Sequence, residues 1–109
     1  MAIFEKIKGA MAAKDAEAMI ALLHDDFVFV RHQSGTELDR DTMAAMMRDM
    51  SGTGDWSVEN HRCLYENDDI MVEHSVMTFP DGSKEAVLVA NTLKDGKIVR
   101  METGATTLG

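Results

Sequence analysis

The sequence has few of the residues that build disulfide scaffolds or membrane spans. Its 109 residues include one cysteine and one proline, and only 6% are aromatic. A lone cysteine, Cys63, excludes an intramolecular disulfide and fits a reducing cytoplasm, where we expect the protein to work. No apolar run approaches the roughly 20 residues of a membrane span, so no membrane partner is expected.

Basic residues are also scarce. Lys and Arg total 11 against 19 Asp and Glu, which gives a net charge of -8, and no Lys/Arg cluster offsets it locally. Phosphate backbones are bound by basic surfaces, so no nucleic-acid partner is expected. The length predicts a single domain over residues 1–109.

Three helices are predicted in the first half of the chain. Apolar residues at three- and four-residue spacing mark the first helix, from Ile3 to Met11. Asp15 is placed to cap a second helix, which ends at the sequence HDD. The third helix, DTMAAMMRDM, is rich in methionine and has Asp39 or Asp41 as its cap.

The remaining segments have the composition of strands and turns. A β-branched and aromatic strand, FVFVRHQ, precedes the third helix and is broken at Ser34-Gly35-Thr36. Four further strands are predicted at 56–66, 69–79, 84–94 and 97–106, with Asn, Asp and Gly turns typical of antiparallel hairpins between them. The pattern predicts an α+β fold with helices on one face of an antiparallel sheet.

His74 interrupts an otherwise apolar strand face. In the stretch MVEHSVMTF, alternation places His74 between Val72 and Val76. It could be a core residue bonded to a neighbour, a pocket group or a metal ligand. We expect its face to be the closed side of the sheet. His61, by the same alternation, is expected to be exposed on a face with Glu59 and Cys63.

Three stretches together resemble the nuclear transport factor 2-like superfamily, and especially its SnoaL-like branch. They are AKDAEAMIALLHDDFVFV, GTELDRDTMAAMM and LKDGKIVRMETG. The resemblance implies a cystatin-like, nuclear transport factor 2-like cone, in which three N-terminal-side helices pack on a curved antiparallel β-sheet. It also implies a small hydrophobic ligand inside the cone and a homodimer formed through the sheet.

The catalytic residues of relatives in this superfamily do not carry over. Arg31 aligns with the carboxylate that moves the proton in ketosteroid isomerases, and an arginine cannot act as a base at neutral pH. Their tyrosine donor aligns near Ile7, and their protonated acid near Leu88. The late acid of SnoaL-type cyclases has Glu102 as its nearest counterpart. Steroid isomerisation is therefore disfavoured.

A small set of inward-facing residues is predicted to form the site. A pocket lined by apolar side chains with a few polar groups is the usual form of a small-ligand site. Arg31 is expected to pair with an acid such as Glu102 on a rim, or to face an acidic ligand if it is unpaired. The predicted ligand-binding residues are Phe29, Arg31, Met47, His74 and Asn91, and the candidate catalytic residues are His74 and Glu102.

No cofactor or metal is expected, because HxH, HExxH and CxxC spacings are all missing. The first hypothesis is a small-molecule-binding protein of the SnoaL-like class that holds a hydrophobic or acidic molecule without the family's standard catalysis. The alternative is an enzyme of the isomerase, cyclase or dehydratase kind with His74 as acid–base group. A third reading is a structural dimerisation protein with a filled cone.

Overall fold

The computed structural model describes residues 2–108, with Thr53 described by its backbone alone. Three helices and six strands form a helical layer on a curved sheet. In chain order the elements are α1 (Ile3–Ala12), α2 (Ala16–Ile20), β1 (Leu23–Arg31), β2 (Thr36–Asp39), α3 (Arg40–Thr53), β3 (Ser57–Glu66), β4 (Ile70–Thr78), β5 (Lys84–Lys94) and β6 (Lys97–Leu108). None of these helices is long and apolar enough to cross a membrane.

Side chains cap the helices where the backbone N–H groups have no partner. Asp15 accepts from the Ala18 N–H at 3.1 Å, and Asp39 accepts from the Thr42 N–H at 2.8 Å. Both caps were predicted, and of the two acids offered for α3 the structure uses Asp39. Each satisfies one of the N–H groups that a helix start leaves unpaired.

The start of α1 is capped from a distant strand. Ala2, at the N-cap position, offers no side-chain bond. Glu66, at the end of β3, instead accepts from the N–H groups of Ile3 at 2.7 Å and Phe4 at 3.3 Å. A carboxylate at a helix N-terminus is also favoured by the helix dipole. Glu66 therefore fixes α1 against the sheet.

The six strands lie in the order β2-β1-β6-β5-β4-β3. The prediction of a wholly antiparallel sheet is wrong for one pair, since β1 and β6 run parallel. Hairpin turns set the direction of successive strands only, and β1 and β6 are far apart in sequence. The break predicted at Ser34-Gly35-Thr36 is a turn, with Gly35 at φ 70°, that folds β2 back onto β1.

The hydrophobic core lies between the helices and one face of the sheet. Its buried members are Ile3, Phe4, Ile7, Leu23, Phe27, Met71, Leu93 and Ile98. We call the sheet face that carries Met71 on β4 and Leu93 on β5 the helix-covered face, and the opposite one the outer face. Strand pairing assigns the remaining residues to these two faces.

Candidate functional site

A bulge in β3 turns His61 toward the helices. Glu59 pairs with Val76 and Arg62 with His74, so two residues of β3, Asn60 and His61, stand opposite one residue of β4. Asn60 takes the left-handed conformation, at φ 54°. The extra residue shifts the alternation beyond it. The expectation that His61 is exposed is therefore wrong, and its side chain is 8% exposed.

His61 forms a buried pair with Glu73 of β4. Nε2 of His61 lies 2.6 Å from Oε1 of Glu73, and both side chains are 8% exposed. The ring of Phe4, on α1, meets the imidazole edge-on with centroids 4.9 Å apart. One proton lies between the two residues, on nitrogen or on oxygen, because one of the two atoms must be the donor.

Asn91 of β5 completes this buried polar group. Its Nδ2 donates to Oε2 of Glu73 at 2.7 Å and to the carbonyl oxygen of Met71 at 3.1 Å. Asn91 is completely buried, and its Oδ1 has no hydrogen-bond partner among the described residues. We call His61, Glu73 and Asn91 the buried triad.

His74 lies on the outer face of the sheet. Met71 and Glu73 are buried beneath the helices, so His74, one residue after Glu73, points the other way. The expectation that His74 looks into the closed side is therefore wrong. The physical reason is that both faces of β4 carry apolar and polar residues, and alternation does not say which face the helices cover. Its Nδ1 is buried and has no hydrogen-bond partner within residues 2–108.

Glu102 also lies on the outer face, because of a bulge in β6. Leu93 pairs with Ile98 and Thr92 with Arg100, which leaves one extra residue, Val99, in β6. Ile98 is in the core, whereas Arg100 and Glu102 are not on its side. The expectation that Glu102 faces inward is wrong for this reason.

Glu102 belongs to an exposed ion-pair cluster instead of a pocket. Its Oε1 lies 3.1 Å from Nε2 of His32, and its Oε2 lies 3.2 Å from Nε of Arg100. The hydrogen bond from His32, followed by the bond from Arg100, lowers the pKa of the Glu102 carboxyl. Its carboxylate is therefore a poor proton donor at neutral pH.

Arg31 pairs with an acid, as predicted, but the acid is Glu85 and not Glu102. Nη2 of Arg31 lies 3.3 and 3.0 Å from the two carboxylate oxygens of Glu85. The Glu85 side chain is 11% exposed, whereas the Arg31 side chain is 40% exposed. The pair borders an open depression of about 410 Å³, whose other lining residues are Phe79, Pro80, Asp81 and Ser83.

Several apolar side chains of intermediate exposure pack against the core. Phe29 of β1 and Met47 of α3, both predicted site residues, pack against the core cluster and are only partly buried. Met43 and Met101 share this arrangement. We call Phe29, Met43, Met47 and Met101 the apolar wall. Methionine side chains adapt to irregular space, so the shape of this wall can change.

Three predicted residues, Phe29, Arg31 and Asn91, lie on the helix-covered face, and a fourth, Met47 of α3, packs against the core cluster. His74 and Glu102, the two candidate catalytic residues, lie on the outer face. All five buried polar residues among residues 2–108 are on the helix-covered face by strand pairing. They are Glu73, Ser75, Glu85, Asn91 and Thr103.

The described residues form no metal-binding group, and the one thiol is unsuited to nucleophilic attack. Within residues 2–108, no group of three His, Cys, Asp or Glu side chains is arranged to hold a metal ion. Cys63 has a pKa raised by desolvation and by the nearby charge of Glu66. The thiol therefore stays protonated at neutral pH, and a protonated thiol is a poor nucleophile.

The model of the SnoaL-like domain family matches residues 4–101. The chain belongs to this family. No curated protein matches the chain in sequence. The family prediction is thereby confirmed, and the match runs from α1 into β6.

Solved structures confirm the nuclear transport factor 2-like fold. An NTF2-like protein of unknown function from Burkholderia xenovorans is 19% identical, with a TM-score of 0.76, over 96% of this chain and 80% of that one. A proposed ketosteroid isomerase from Kribbella flavida is 18% identical, with a TM-score of 0.79, over 96% and 76%. IdmH, a proposed polyketide cyclase from Streptomyces antibioticus, is 18% identical, with a TM-score of 0.68, over 93% and 89%. At these identities the likeness concerns the fold alone.

Proposed function

We propose that this SnoaL-like protein binds a small hydrophobic or acidic molecule on the helix-covered face, inside the cone that the family resemblance implies. The observation that carries the proposal is the concentration of buried polar residues on this face, beneath a partly buried apolar wall. Side chains such as Asn91 and Glu85 are costly to bury, and an apolar cavity with a few convergent polar groups is the common form of a small-ligand site.

The apolar wall supports a hydrophobic guest. Phe29 belongs to the sheet and Met47 belongs to the helical layer, and both pack against the core. A ligand between these two side chains would be covered on two sides. Burying a ring or a short alkyl chain there removes apolar surface from water, which contributes about 25 cal/mol per Å².

Arg31, at the open depression, supports an acidic group on the ligand. Only Nη2 of its guanidinium is bonded to acceptors among the described residues, namely Gln33 and Glu85. A ligand carboxylate could take the other guanidinium nitrogens in a two-bond contact. Glu85 already balances the charge of Arg31, so a hydrophobic guest with one acidic group is favoured over a multiply charged one.

Two substitutions on α3 test the location of the site. Met47→Ala removes part of the apolar wall, whereas Met46→Ala changes a side chain that is 45% exposed. We expect the first variant to weaken the binding of the natural ligand or of a small aromatic probe, and the second to leave it unchanged. Equal affinity in both variants, measured by calorimetry, would place the ligand elsewhere.

The second candidate function is an enzyme of the isomerase, cyclase or dehydratase kind. The observation that favours it is the 2.6 Å pair of His61 and Glu73. Glu73 is bonded to Nε2 of His61, so Nδ1 is the ring nitrogen left for proton transfer. The role predicted for His74 and Glu102 would instead require a substrate on the outer face.

A panel of β-hydroxy ketones tests this candidate. Removal of the α-proton and departure of the β-hydroxyl, which leave together as one water, give a conjugated ketone that absorbs in the ultraviolet. We expect His61→Gln to abolish any such turnover and His74→Ala to retain it. The reverse result would assign the proton transfer to His74, as the sequence predicted. Turnover that survives both substitutions would exclude both histidines.

We further propose a homodimer formed through the outer face. Leu88, at its centre, is 46% exposed, and Tyr65 is 59% exposed. The outer face also carries both signs of charge, with Arg100 beside Glu102. Two chains of net charge -8 repel each other least where such a mixed surface meets its copy.

Localisation in the cytoplasm is proposed on the basis of Cys63. This cysteine is exposed and unpaired, and free thiols persist in reducing compartments. Fractionation of cells that express the tagged chain tests the assignment, and recovery from an oxidising compartment would contradict it.

A further inference from the structure

The amide of Asn91 is fixed in one orientation. Nδ2 faces three acceptors, which are the carbonyl oxygen and Sδ of Met71, at 3.1 and 3.5 Å, and Oε2 of Glu73, at 2.7 Å. Turning the amide over would aim its oxygen at these acceptors. The atom left without a partner is therefore the acceptor Oδ1, and a donor must be supplied to satisfy it.

No neighbouring protein group supplies that donor. Oδ1 is buried, and no donor among residues 2–108 reaches it. The proton between His61 and Glu73 lies on the Oε1 side of Glu73, away from the oxygen that Asn91 bonds. Buried polar atoms in folded proteins are nearly always paired with protein, water or ligand.

We propose, resting on the binding function above, that the ligand is an apolar molecule with a hydroxyl group that donates to Oδ1 of Asn91. Strand pairing places Asn91 beside Met101 of β6, and Met101 beside Phe29 of β1. These two neighbours are only partly buried, whereas Asn91 is completely buried. The apolar body of the ligand lies against Met101 and Phe29, and its hydroxyl reaches inward past the adaptable Met101 side chain.

The same geometry excludes ketones and ethers as the buried group. Their oxygen atoms accept hydrogen bonds and do not donate, so at this position they would face the acceptor Oδ1 with no hydrogen between the two oxygens. A site built to bond a hydroxyl rejects an analogue that lacks it, because the buried polar group is then left unpaired. Selectivity for ligands with a hydroxyl donor therefore distinguishes this proposal from apolar binding in general.

Three isomers of one formula provide the test, namely p-cresol, benzyl alcohol and anisole. They have the same atoms and nearly the same volume, but anisole has no hydroxyl donor. We expect one of the two hydroxyl compounds to bind about tenfold more tightly than anisole, in calorimetry or ligand-observed NMR. Equal affinity of all three compounds would overturn the proposal while leaving apolar binding on this face intact.

Two further measurements show whether the preference for a hydroxyl compound comes from Asn91. In Asn91→Ala, the preference over anisole should disappear, while affinity for anisole changes little. If that variant does not fold, a crystal structure of the wild-type protein with the tighter isomer decides: we expect its oxygen within 3.2 Å of Oδ1. A water molecule at Oδ1 with the isomer elsewhere, or no binding by any isomer, would contradict the proposal. A co-purified apolar ligand would still uphold the binding function.

Discussion

His61 and Glu73 face each other across neighbouring strands, with Nε2 of the imidazole 2.6 Å from Oε1 of the carboxylate. Their contact depends on the bulge at Asn60, which places His61 on the same face as Glu73. Asn91 bonds the second carboxylate oxygen, so three strands are tied together beneath α1.

Removing the imidazole should destabilise the fold. His61→Ala leaves the buried Glu73 carboxyl without one of its two side-chain partners and removes the contact with Phe4. We expect the free energy of unfolding in urea to fall by about 2–3 kcal/mol. His32→Ala is the matched control, because His32 also pairs with a glutamate but is 62% exposed. Equal losses in the two variants would show that burial of the pair contributes nothing.

The distant cap of α1 makes a second prediction. Glu66→Ala removes the acceptor for the N–H groups of Ile3 and Phe4. We expect a loss of about 1–2 kcal/mol in the free energy of unfolding, as for other helix caps. Glu59→Ala, an exposed glutamate on the same strand, should have little effect. A Glu66 variant as stable as the control would contradict the capping role.

The cap of α3 should give a pH-dependent contribution. Hydrogen bonds from the side chain and backbone of Thr42 lower the pKa of Asp39. The stabilisation is therefore complete above the pKa of the unfolded chain and is lost as the pH falls through the lower folded pKa. Asp39→Asn keeps a capping oxygen but removes the titration. We expect its unfolding free energy to fall less steeply than wild type below about pH 4, and identical slopes would contradict this.

The proposed dimer depends on the apolar centre of the outer face. Leu88→Lys places a charge opposite Gly104, in the middle of that face. We expect a monomer by light scattering after size-exclusion chromatography, where the wild-type protein is a dimer. Met46→Lys, an equally exposed position on α3, should leave the dimer intact. A monomeric wild-type protein, or a dimeric Leu88 variant, would exclude this interface.

The order of elements was readable from the sequence because local signals specify it. Helical spacing, the caps at Asp15 and Asp39, and the turns between the later strands all concern residues close in the chain. The exception was β2, where Gly35 was read as a break although it forms a turn. The parallel pairing of β1 with β6 joins residues far apart, and no local pattern predicts it.

The site was predicted only in part, because its geometry depends on bulges. Arg31, Phe29 and Asn91 follow simple alternation, and the structure places all three on the helix-covered face. His61 and Glu102 lie beyond extra residues in β3 and β6, so counting by twos assigns them to the wrong face. An asparagine such as Asn60 within a strand run was the one available sign of a bulge, since asparagine tolerates the left-handed conformation.

The most direct test of the central claim is native mass spectrometry of the freshly purified wild-type protein beside Met47→Ala and Met46→Ala. A bound small molecule on the helix-covered face predicts an extra mass on the wild-type protein that denaturation releases. The adduct should be retained by the Met46 variant and reduced in the Met47 variant. The absence of any adduct from the wild-type protein, together with no thermal stabilisation by the three aromatic isomers, would contradict the claim and indicate a filled interior.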